Sequence, residues 1–546
     1  MKDFTILVGG QAGQGSRKAG LIIAKIFNQM GYNIFIHEDY QSLIKGGHNF
    51  SIVRVSEKEF LTHRNNLDFI LALDNETFLK HENKLNKKGL IIFNSKKTKT
   101  EKGIGLDIDQ MVKDLSCPLI MGNIAMISSF AKSVGVEWSI LEKVLKNELN
   151  REIEKNLLIA KKAYSETNQF IKIEKLKTKK SNLLTGNEAI ALGAVDAGLE
   201  IYSAYPMTPA TSILHYLADN SKKFKVSVSQ AENEISAINF VIGSSYAGKR
   251  SMTATSGGGF ALMTEGISLG AQAEVPVLVV NSQRSGPATG VPTYGGQSDL
   301  LFSLASGHGD FIRFVASPGD ANEAYYLSGV LLNLAWKYQS PTILLTDKEL
   351  SESTFEFNPE KKNKKEKELL WDKKGEYKRY SQSKNGISPL AFPGSNSVVK
   401  STSYEHDEKG LSAEDSDLVV LMQDKRLRKF EEMKKEIDKL EAVKVYGNKK
   451  SNKAIICWGS VKGSAKEAVE ELGIKLIQPL FLQPFPIKQM KKALKGVNKL
   501  ISVECNSTGQ LAEVLKGQGI KVDKQILKYD MRPFTSEDLV LKLKKI

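Results

Sequence analysis

The chain has 546 residues, 41% hydrophobic and 25% charged, with a formal net charge of +15; it is too long for one core and reads as three or four globular modules of about 150 residues. No apolar run approaches the length of about 20 residues that spans a bilayer, and Met1-Lys2-Asp3-Phe4 leads straight into a strand pattern, so neither a membrane segment nor a signal peptide is expected and the location read from the sequence is cytoplasmic. The lysines are spread over helix faces and linkers such as 361–374 with no nucleic-acid motif beside them, which sets nucleic-acid binding aside.

The first module opens with a strand pattern over 4–10, the glycine turn Gly9-Gly10-Gln11-Ala12-Gly13-Gln14-Gly15 and an amphipathic helix from Ser16 to about Met30. Strand, glycine turn and helix can cradle a phosphate, because backbone N–H groups and the helix N-terminus face one point. The glycines fail the G-x-G-x-x-G spacing, however, and Ser16 stands where a P-loop carries Lys. A nicotinamide or ATP site is not expected, and a close helix–strand crossing is the better reading. A second glycine cluster, Lys45-Gly46-Gly47-His48-Asn49, follows Glu38-Asp39, and His48 reads as a turn residue rather than a ligand. Strands at 69–73 and 90–93 and a helix over 122–134 complete an α/β module spanning 1–172, and the lysine-rich stretch 173–183 reads as a linker.

A second module spans 184–355 and begins with the capping box Thr185-x-x-Glu188, whose helix stops at Gly198. Four strand patterns follow. The run 199–205 ends in the turn Tyr205-Pro206-Met207-Thr208-Pro209, in which two prolines fix the backbone. The run 225–229 ends in Gln230-Ala231-Glu232-Asn233-Glu234, the run 250–255 in Ser256-Gly257-Gly258-Gly259, and the run 276–281 leads to Gln283-Arg284-Ser285-Gly286-Pro287. Helices alternate with these strands, so the sheet is parallel and the four ends converge on one edge, where open α/β sheets bind ligands. A hydroxyl, one or two carboxylates, a glycine loop and a guanidinium meet there. The Pro turn remains either a stiff corner or a site, and Arg284 either a surface ion pair or a bidentate partner for a substrate carboxylate.

The segment 356–416 is irregular and reads as a linker or active-site loop. Its Glu405-His406-Asp407-Glu408 could be solvated loop, a lid or a metal set, the last being weakest without a partner cluster. The third module, 417–546, starts with a charged helix over 418–440 and then alternates strand and helix. It carries no catalytic cluster, and packing and partner contact are its expected roles.

As an ordered set, these motifs resemble the 2-oxoacid:ferredoxin oxidoreductases. Tyr-Pro-Met-Thr-Pro at 205–209 is similar to the family's Y-P-I-T-P motif. The runs Gln283-Arg284-Ser-Gly-Pro-Ala-Thr-Gly-Val-Pro-Thr293, Ile387-Ser-Pro, Glu405-His-Asp-Glu, Leu482-Gln-Pro-Phe-Pro, Val503-Glu-Cys-Asn-Ser-Thr-Gly-Gln and Tyr529-Asp-Met-Arg-Pro-Phe resemble the α subunit of its 2-oxoglutarate branch. The N-terminal glycine motifs look like the family's γ subunit fused in front. The resemblance implies an α/β architecture of three modules: a γ-type domain, a parallel-sheet domain of the kind that binds the thiamine diphosphate pyrimidine, and a transketolase-C-like α/β domain.

It also implies an activity: oxidative decarboxylation of a 2-oxoacid, 2-oxoglutarate foremost, with coenzyme A to acyl-CoA and CO₂, the electrons passing to ferredoxin. Pyruvate, branched-chain 2-oxoacids and a non-catalytic scaffold role are the alternatives. By resemblance Glu234, with Glu232 second, is the catalytic carboxylate that activates thiamine, Tyr205 and Pro206 join it at the cofactor, and Thr208, Arg284, Thr293 and Asp407 line the substrate site. Met207 for the usual Ile conserves volume. The γ-like glycine loop departs from the family's closer G-x-G-G-Q-G, which loosens any inference about CoA contacts there. The G-D-G…N diphosphate–magnesium motif is missing, and Cys117, Cys457 and Cys505 lie far apart with no C-x-x-C pair. The implied partner is therefore a β subunit carrying the diphosphate and magnesium site and the iron–sulfur cysteines, in an αβ heterodimer or a dimer of heterodimers, with this chain inactive alone.

Overall fold

The computed structural model describes residues 2–42, 46–100, 102–178 and 181–546, arranged in two compact units. The first comprises residues up to Leu184 with Glu352–Asn358 and Thr535–Asp538, and the second comprises the rest.

The first unit is built on an eight-stranded sheet. Its strand Asp3–Ala12 pairs antiparallel with Gly46–Ser56 and parallel with Leu67–Ala72. Alternation sends Phe4, Ile6 and Val8 into the core that contains the helices Ser16–Gln29 and Gly122–Ser133, and Leu7 to the other face with Ile52 and Ile70. Gly9 and Gly10 lie within the strand and not in the turn after it. A Cβ on Gly9 would sit 2.6 Å from Cγ2 of Thr77, on the helix Asn75–His81, and one on Gly10 would sit 3.0 Å from Leu73 Cβ, so the small residues let that helix and the chain leading to it pack close on the strand. Gly13, at a φ of 94°, and Gly15, the residue before the helix, at 79°, adopt backbone that favours glycine.

Two expectations are corrected here. His48 is not a turn residue: it lies in the strand Gly46–Ser56, 4% exposed, with its Nε2 2.8 Å from Nε2 of His81. Burial depresses both imidazoles, that of His81 to about 3. Lys45 of the same motif lies outside the described residues. The strand Thr354–Phe357 sits in this unit's sheet, antiparallel to Asn33–Asp39, although the sequence places 354–355 at the end of the second module. Phe355 supplies the reason, because its ring meets the edge of Phe35 at 5.1 Å.

The second unit holds two sheets. The larger has the strand order Phe481–Gln483, Phe314–Ala316, Pro341–Asp347, Val277–Gln283, Ser251–Thr255, Ile201–Ala204, Ser227–Gln230. Every neighbouring pair is parallel except the first. The capping box is formed: Thr185 N donates to Glu188 Oε2 at 2.8 Å and Glu188 N to Thr185 Oγ1 at 3.2 Å. Val277–Gln283 is buried on both faces, as a central parallel strand covered by helices must be. The smaller, five-stranded sheet runs Val443–Gly447, Lys475–Pro479, Lys453–Ile456, Lys499–Glu504, Lys524–Leu527, parallel except at its first pair.

Buried charge joins these layers. Lys462, 3% exposed, is ion-paired with Asp320 and, at 2.6 Å, with Glu323 at the start of the helix Ala321–Tyr338. Burial alone would raise the Glu323 carboxyl above its ordinary 4.5, but Lys462 and Lys444 hold it down to about 2. A carboxyl depressed in the folded state contributes stability that is present above 4.5 and lost as pH falls through about 2. Lys462→Met should lower unfolding stability by about 3 kcal/mol, the low end for a broken buried pair, because Lys444 stays near Glu323. Urea unfolding of wild type and variant at pH 7 and pH 3 checks this, and the difference should shrink at the lower pH.

A second buried cluster holds the helix Ser416–Lys439, whose Lys425 and Lys429 reach Glu274 at 2.8 and 2.5 Å. Burial drives the Lys429 amine down to about 7, against the pull of Glu274. No helix among the described residues is long and apolar enough to cross a membrane.

Candidate functional site

Four strands of the larger sheet, Ile201–Ala204, Ser227–Gln230, Ser251–Thr255 and Val277–Gln283, are hydrogen-bonded neighbours and parallel, so their carboxyl ends open on one edge. The Pro turn follows the first of them. It is braced by Asn187, fully buried, whose Nδ2 donates to Pro209 O at 2.7 Å and to Ser212 Oγ at 2.8 Å. Thr255 Oγ1 lies 3.8 Å from Met207 Sδ, and Ala210 N donates to Met207 O at 2.8 Å. Tyr205 is 39% exposed, and Pro206 and Thr208 are half-buried at the mouth of the site.

The turn and the fourth strand end are joined directly. Arg284 Nη1 donates to Thr208 O at 2.9 Å, which aims the guanidinium across the edge of the sheet. Burial pushes this guanidinium below its ordinary value and the nearby Glu234 carboxylate pushes it back up, so the two side chains sense one another.

Between them the second strand end delivers the acid. Asn233 accepts from Ser236 N at 2.8 Å and so caps the helix Glu234–Tyr246, whose first residue is Glu234. The cap places Glu234 inside, 3% exposed, with Oε1 buried and without a hydrogen-bond partner among the described residues. Glu232, two residues earlier, is exposed and accepts from Ser236 Oγ at 3.0 Å.

The third strand end, Ser256-Gly257-Gly258-Gly259, covers this carboxylate. A Cβ on Gly259 would overlap both Glu234 Oε1 and Thr255 Oγ1, whereas one on Gly258 would meet open space. We expect Gly259→Ala to displace Glu234, lowering stability by about 1–3 kcal/mol through overpacking and activity at least about tenfold for a misplaced reacting group. Thermal unfolding and turnover of the same preparation separate the two effects.

Thr293, 4% exposed, closes the loop that follows Arg284, and its Oγ1 is also buried without a partner among the described residues. Asp407 is placed differently. Its Oδ1 accepts from Lys409 N and Leu411 N, both at 2.9 Å, so the carboxylate shapes its own loop. The neighbouring His406 is buried with its ring 3.8 Å from that of Tyr380, and Glu405 pairs with Arg426. The structure thus brings Thr208, Arg284 and Glu234 together, and the described hydrogen bonds of Asp407 stay within 407–411.

Sequence reasoning missed three residues. Asn187 lies inside the capping box Thr185-x-x-Glu188, where the pattern gives no sign of its burial. Asp299 lies against Gly257, 2.5 Å from where a Cβ would stand, and burial pushes its carboxyl up to about 6. Gln297 is 1% exposed and ties the loop after Arg284 to the smaller sheet, a contact no local pattern reveals.

An unpartnered buried carboxylate oxygen, a glycine cradle with no room for a side chain and an arginine at one sheet edge fit a heteroaromatic cofactor with a ring N–H group beside a carboxylate substrate. Comparison with known proteins agrees with this geometry. Residues 192–424 match the family described as pyruvate flavodoxin/ferredoxin oxidoreductase, thiamine diphosphate-binding. Residues 5–166 match pyruvate ferredoxin/flavodoxin oxidoreductase, and 451–537 match pyruvate:ferredoxin oxidoreductase core domain II. The chain is 32% identical to a 2-oxoacid:ferredoxin oxidoreductase subunit alpha of Saccharolobus solfataricus, over 98% of this chain and 96% of that one. It is 33% identical to the 2-oxoglutarate synthase subunit KorA of Methanocaldococcus jannaschii, over 60% of this chain and 89% of that one. Among solved structures, the 2-oxoglutarate:ferredoxin oxidoreductase of Magnetococcus marinus, with 2-oxoglutarate, coenzyme A and succinyl-CoA bound, superposes with a TM-score of 0.90 at 30% identity, covering 100% of this chain and 99% of that one.

Proposed function

Because the chain belongs to the 2-oxoacid:ferredoxin oxidoreductase family, as an α subunit, we propose that it supplies the substrate-carboxylate site and the thiamine-activating acid of an enzyme that oxidatively decarboxylates 2-oxoglutarate. The observation that carries this reading is Glu234, a buried carboxylate with an unpartnered oxygen under a glycine cradle, beside Arg284.

Each residue has a role. Thiamine diphosphate, when bound, supplies the nucleophilic carbon and the electron sink for decarboxylation. With that cofactor bound, Glu234 would offer its Oε1 to a ring N–H group and so would favour the activated form of the ring. Tyr205 and Pro206, at the mouth of the site, would help hold the ring. Arg284 pairs with the substrate carboxylate, since a guanidinium matches a carboxylate with two parallel hydrogen bonds. The Thr208 and Thr293 hydroxyls complete that carboxylate's shell, and Asp407 bears on the pocket through the loop it shapes.

The rest of the reaction lies outside this sequence. It has no G-D-G…N motif and three dispersed cysteines. A β subunit therefore anchors the diphosphate and magnesium, holds the iron–sulfur cluster and delivers electrons to ferredoxin, with coenzyme A as acyl acceptor. The domain reading is 1–172 γ-type, 173–183 linker, 184–355 pyrimidine-binding type, 356–416 active-site segment and 417–546 transketolase-C-like, with the strand Thr354–Phe357 belonging to the first unit's sheet. The preference for 2-oxoglutarate draws on the ligands of the Magnetococcus marinus relative. Measuring kcat/KM of the assembled complex for 2-oxoglutarate, pyruvate and 2-oxoisovalerate tests it: 2-oxoglutarate should lead by at least about tenfold, the weight of one charged hydrogen bond, and a lead for either competitor would overturn the substrate assignment.

A further inference from the structure

The loop after Arg284 is fastened from a distance, and the fastening residues belong to the module in which no catalytic cluster was found. Within the loop, Ser285 N donates to Tyr294 O and Tyr294 N to Val291 O, both at 3.1 Å, and Val291 N to Ser285 O at 3.2 Å. Gly290, at a φ of 54°, lets the chain close, because a Cβ there would overlap Ser285 O.

Two contacts then pin the closed loop. Arg532 lies flat over the Tyr294 ring, its Cζ 3.7 Å from the centroid. Its own turn is pre-formed, with Asp530 Oδ1 accepting Arg532 N at 3.0 Å. Three residues past Tyr294, Gln297 exchanges backbone and side-chain hydrogen bonds with the turn after the strand Lys499–Glu504. Gln297 N donates to Cys505 O at 2.8 Å, Cys505 N to Gln297 Oε1 at 3.1 Å, and Asn506 Nδ2 to Gln297 O at 3.0 Å. Gln297 Nε2 also donates to Trp458 O at 3.0 Å.

Thr293 sits immediately before the stacked tyrosine, buried, with its hydroxyl unpartnered among the described residues. We infer that Arg532 on Tyr294 and the Cys505–Asn506 turn on Gln297 form a clamp through which the C-terminal module positions Thr293 for the substrate carboxylate. This rests on the proposed function, in which Thr293 meets substrate. Arg532 is a positioning residue: it acts through Tyr294 and touches no reacting atom. A guanidinium stacks on a ring face as an ammonium does not, so lysine should replace it only in part. The contact that Thr293 makes with the carboxylate is present before and during the reaction, so loosening it should raise KM more than it lowers kcat.

The experiment uses the complex assembled with its β chain and three variants of this chain: Arg532→Ala, Arg532→Lys and Gln297→Ala. Two readouts are taken, amide hydrogen exchange of peptides covering 286–297 and the KM and kcat for 2-oxoglutarate. Arg532 is exposed, so its variants should keep the melting temperature of the parent. Arg532→Ala should speed exchange in 286–297 and raise KM about tenfold with kcat within about twofold. Arg532→Lys should fall between it and the parent, and Gln297→Ala should move both readouts in the same direction. Unchanged exchange in both alanine variants would overturn the clamp. Faster exchange with an unchanged KM would overturn its link to substrate. A wild-type complex inactive with every 2-oxoacid would overturn the functional reading and the substrate link with it, while the exchange experiment still reads the clamp.

Discussion

Replacing Glu234 with glutamine should leave the complex folded and lower its 2-oxoacid-dependent turnover by about 10²- to 10⁴-fold, the range for loss of a positioned acid–base group. The two side chains have nearly the same shape, so the glycine cradle at Gly259 still closes over the substituted residue. What is lost is a carboxylate oxygen that no group among the described residues satisfies. Glutamine presents either an amide oxygen, a weaker acceptor, or an N–H group, which opposes a ring N–H. Because the wild-type oxygen is buried without a partner, removing its charge should cost no stability, and the melting temperature of Glu234→Gln should equal or exceed that of the parent. The same substitution at exposed Glu232 should change turnover less than about threefold, within the range of surface substitutions. A complex in which Glu234→Gln retains full activity would make this chain a scaffold and place the acid elsewhere.

The second large effect is expected at Arg284. Truncation to alanine removes a charge-assisted pair with the substrate carboxylate, worth about 1.5–3 kcal/mol, and should lower kcat/KM about 10- to 150-fold. It also releases Thr208 O, the acceptor of Arg284 Nη1 at 2.9 Å, and so loosens the Pro turn. Arg284→Lys keeps the charge without the planar fork and should recover only part of the loss. A neutral 2-oxoester cannot lose CO₂ and serves as a competitive inhibitor, whose inhibition constant should be insensitive to both changes. Equal weakening of the acid and the ester would assign Arg284 to holding the turn and not to binding substrate.

Much of this site was legible in the sequence, and for a definite reason. Parallel α/β sheets bring strand ends together whatever lies between them in the chain, so the order of four successive strand patterns alone places the polar residues that follow them on one edge. The choice between Glu232 and Glu234 depends on one local feature: Asn233 caps the helix, which turns the next residue inward and leaves the preceding one outside. Asn233 immediately before a helical run is a readable cap signal.

Other features had no local signature. Arg532 and the turn at Cys505 act on the loop from about 200 or more positions away in the chain, through Tyr294 and Gln297. Asn187 is polar in sequence and buried in fact, with Pro209 O and Ser212 Oγ accepting from its amide nitrogen. His48 reads as a turn residue because glycines precede it, yet those glycines begin a long antiparallel strand whose partner, Asp3–Ala12, carries glycines of its own. The strand Thr354–Phe357 leaves the module that precedes it, a choice set by aromatic packing on Phe35 and not by periodicity.

The central claim is that this chain supplies the substrate site and the activating carboxylate of a two-chain enzyme. The most direct measurement is 2-oxoglutarate-dependent reduction of a viologen dye, made anaerobically with thiamine diphosphate, magnesium and coenzyme A, on this chain alone, on its β partner alone and on the two combined. The account predicts dye reduction by the combined chains only, dependent on coenzyme A and abolished by Glu234→Gln. Activity of the β chain without this one, or no activity of the combined chains with any 2-oxoacid, would contradict it.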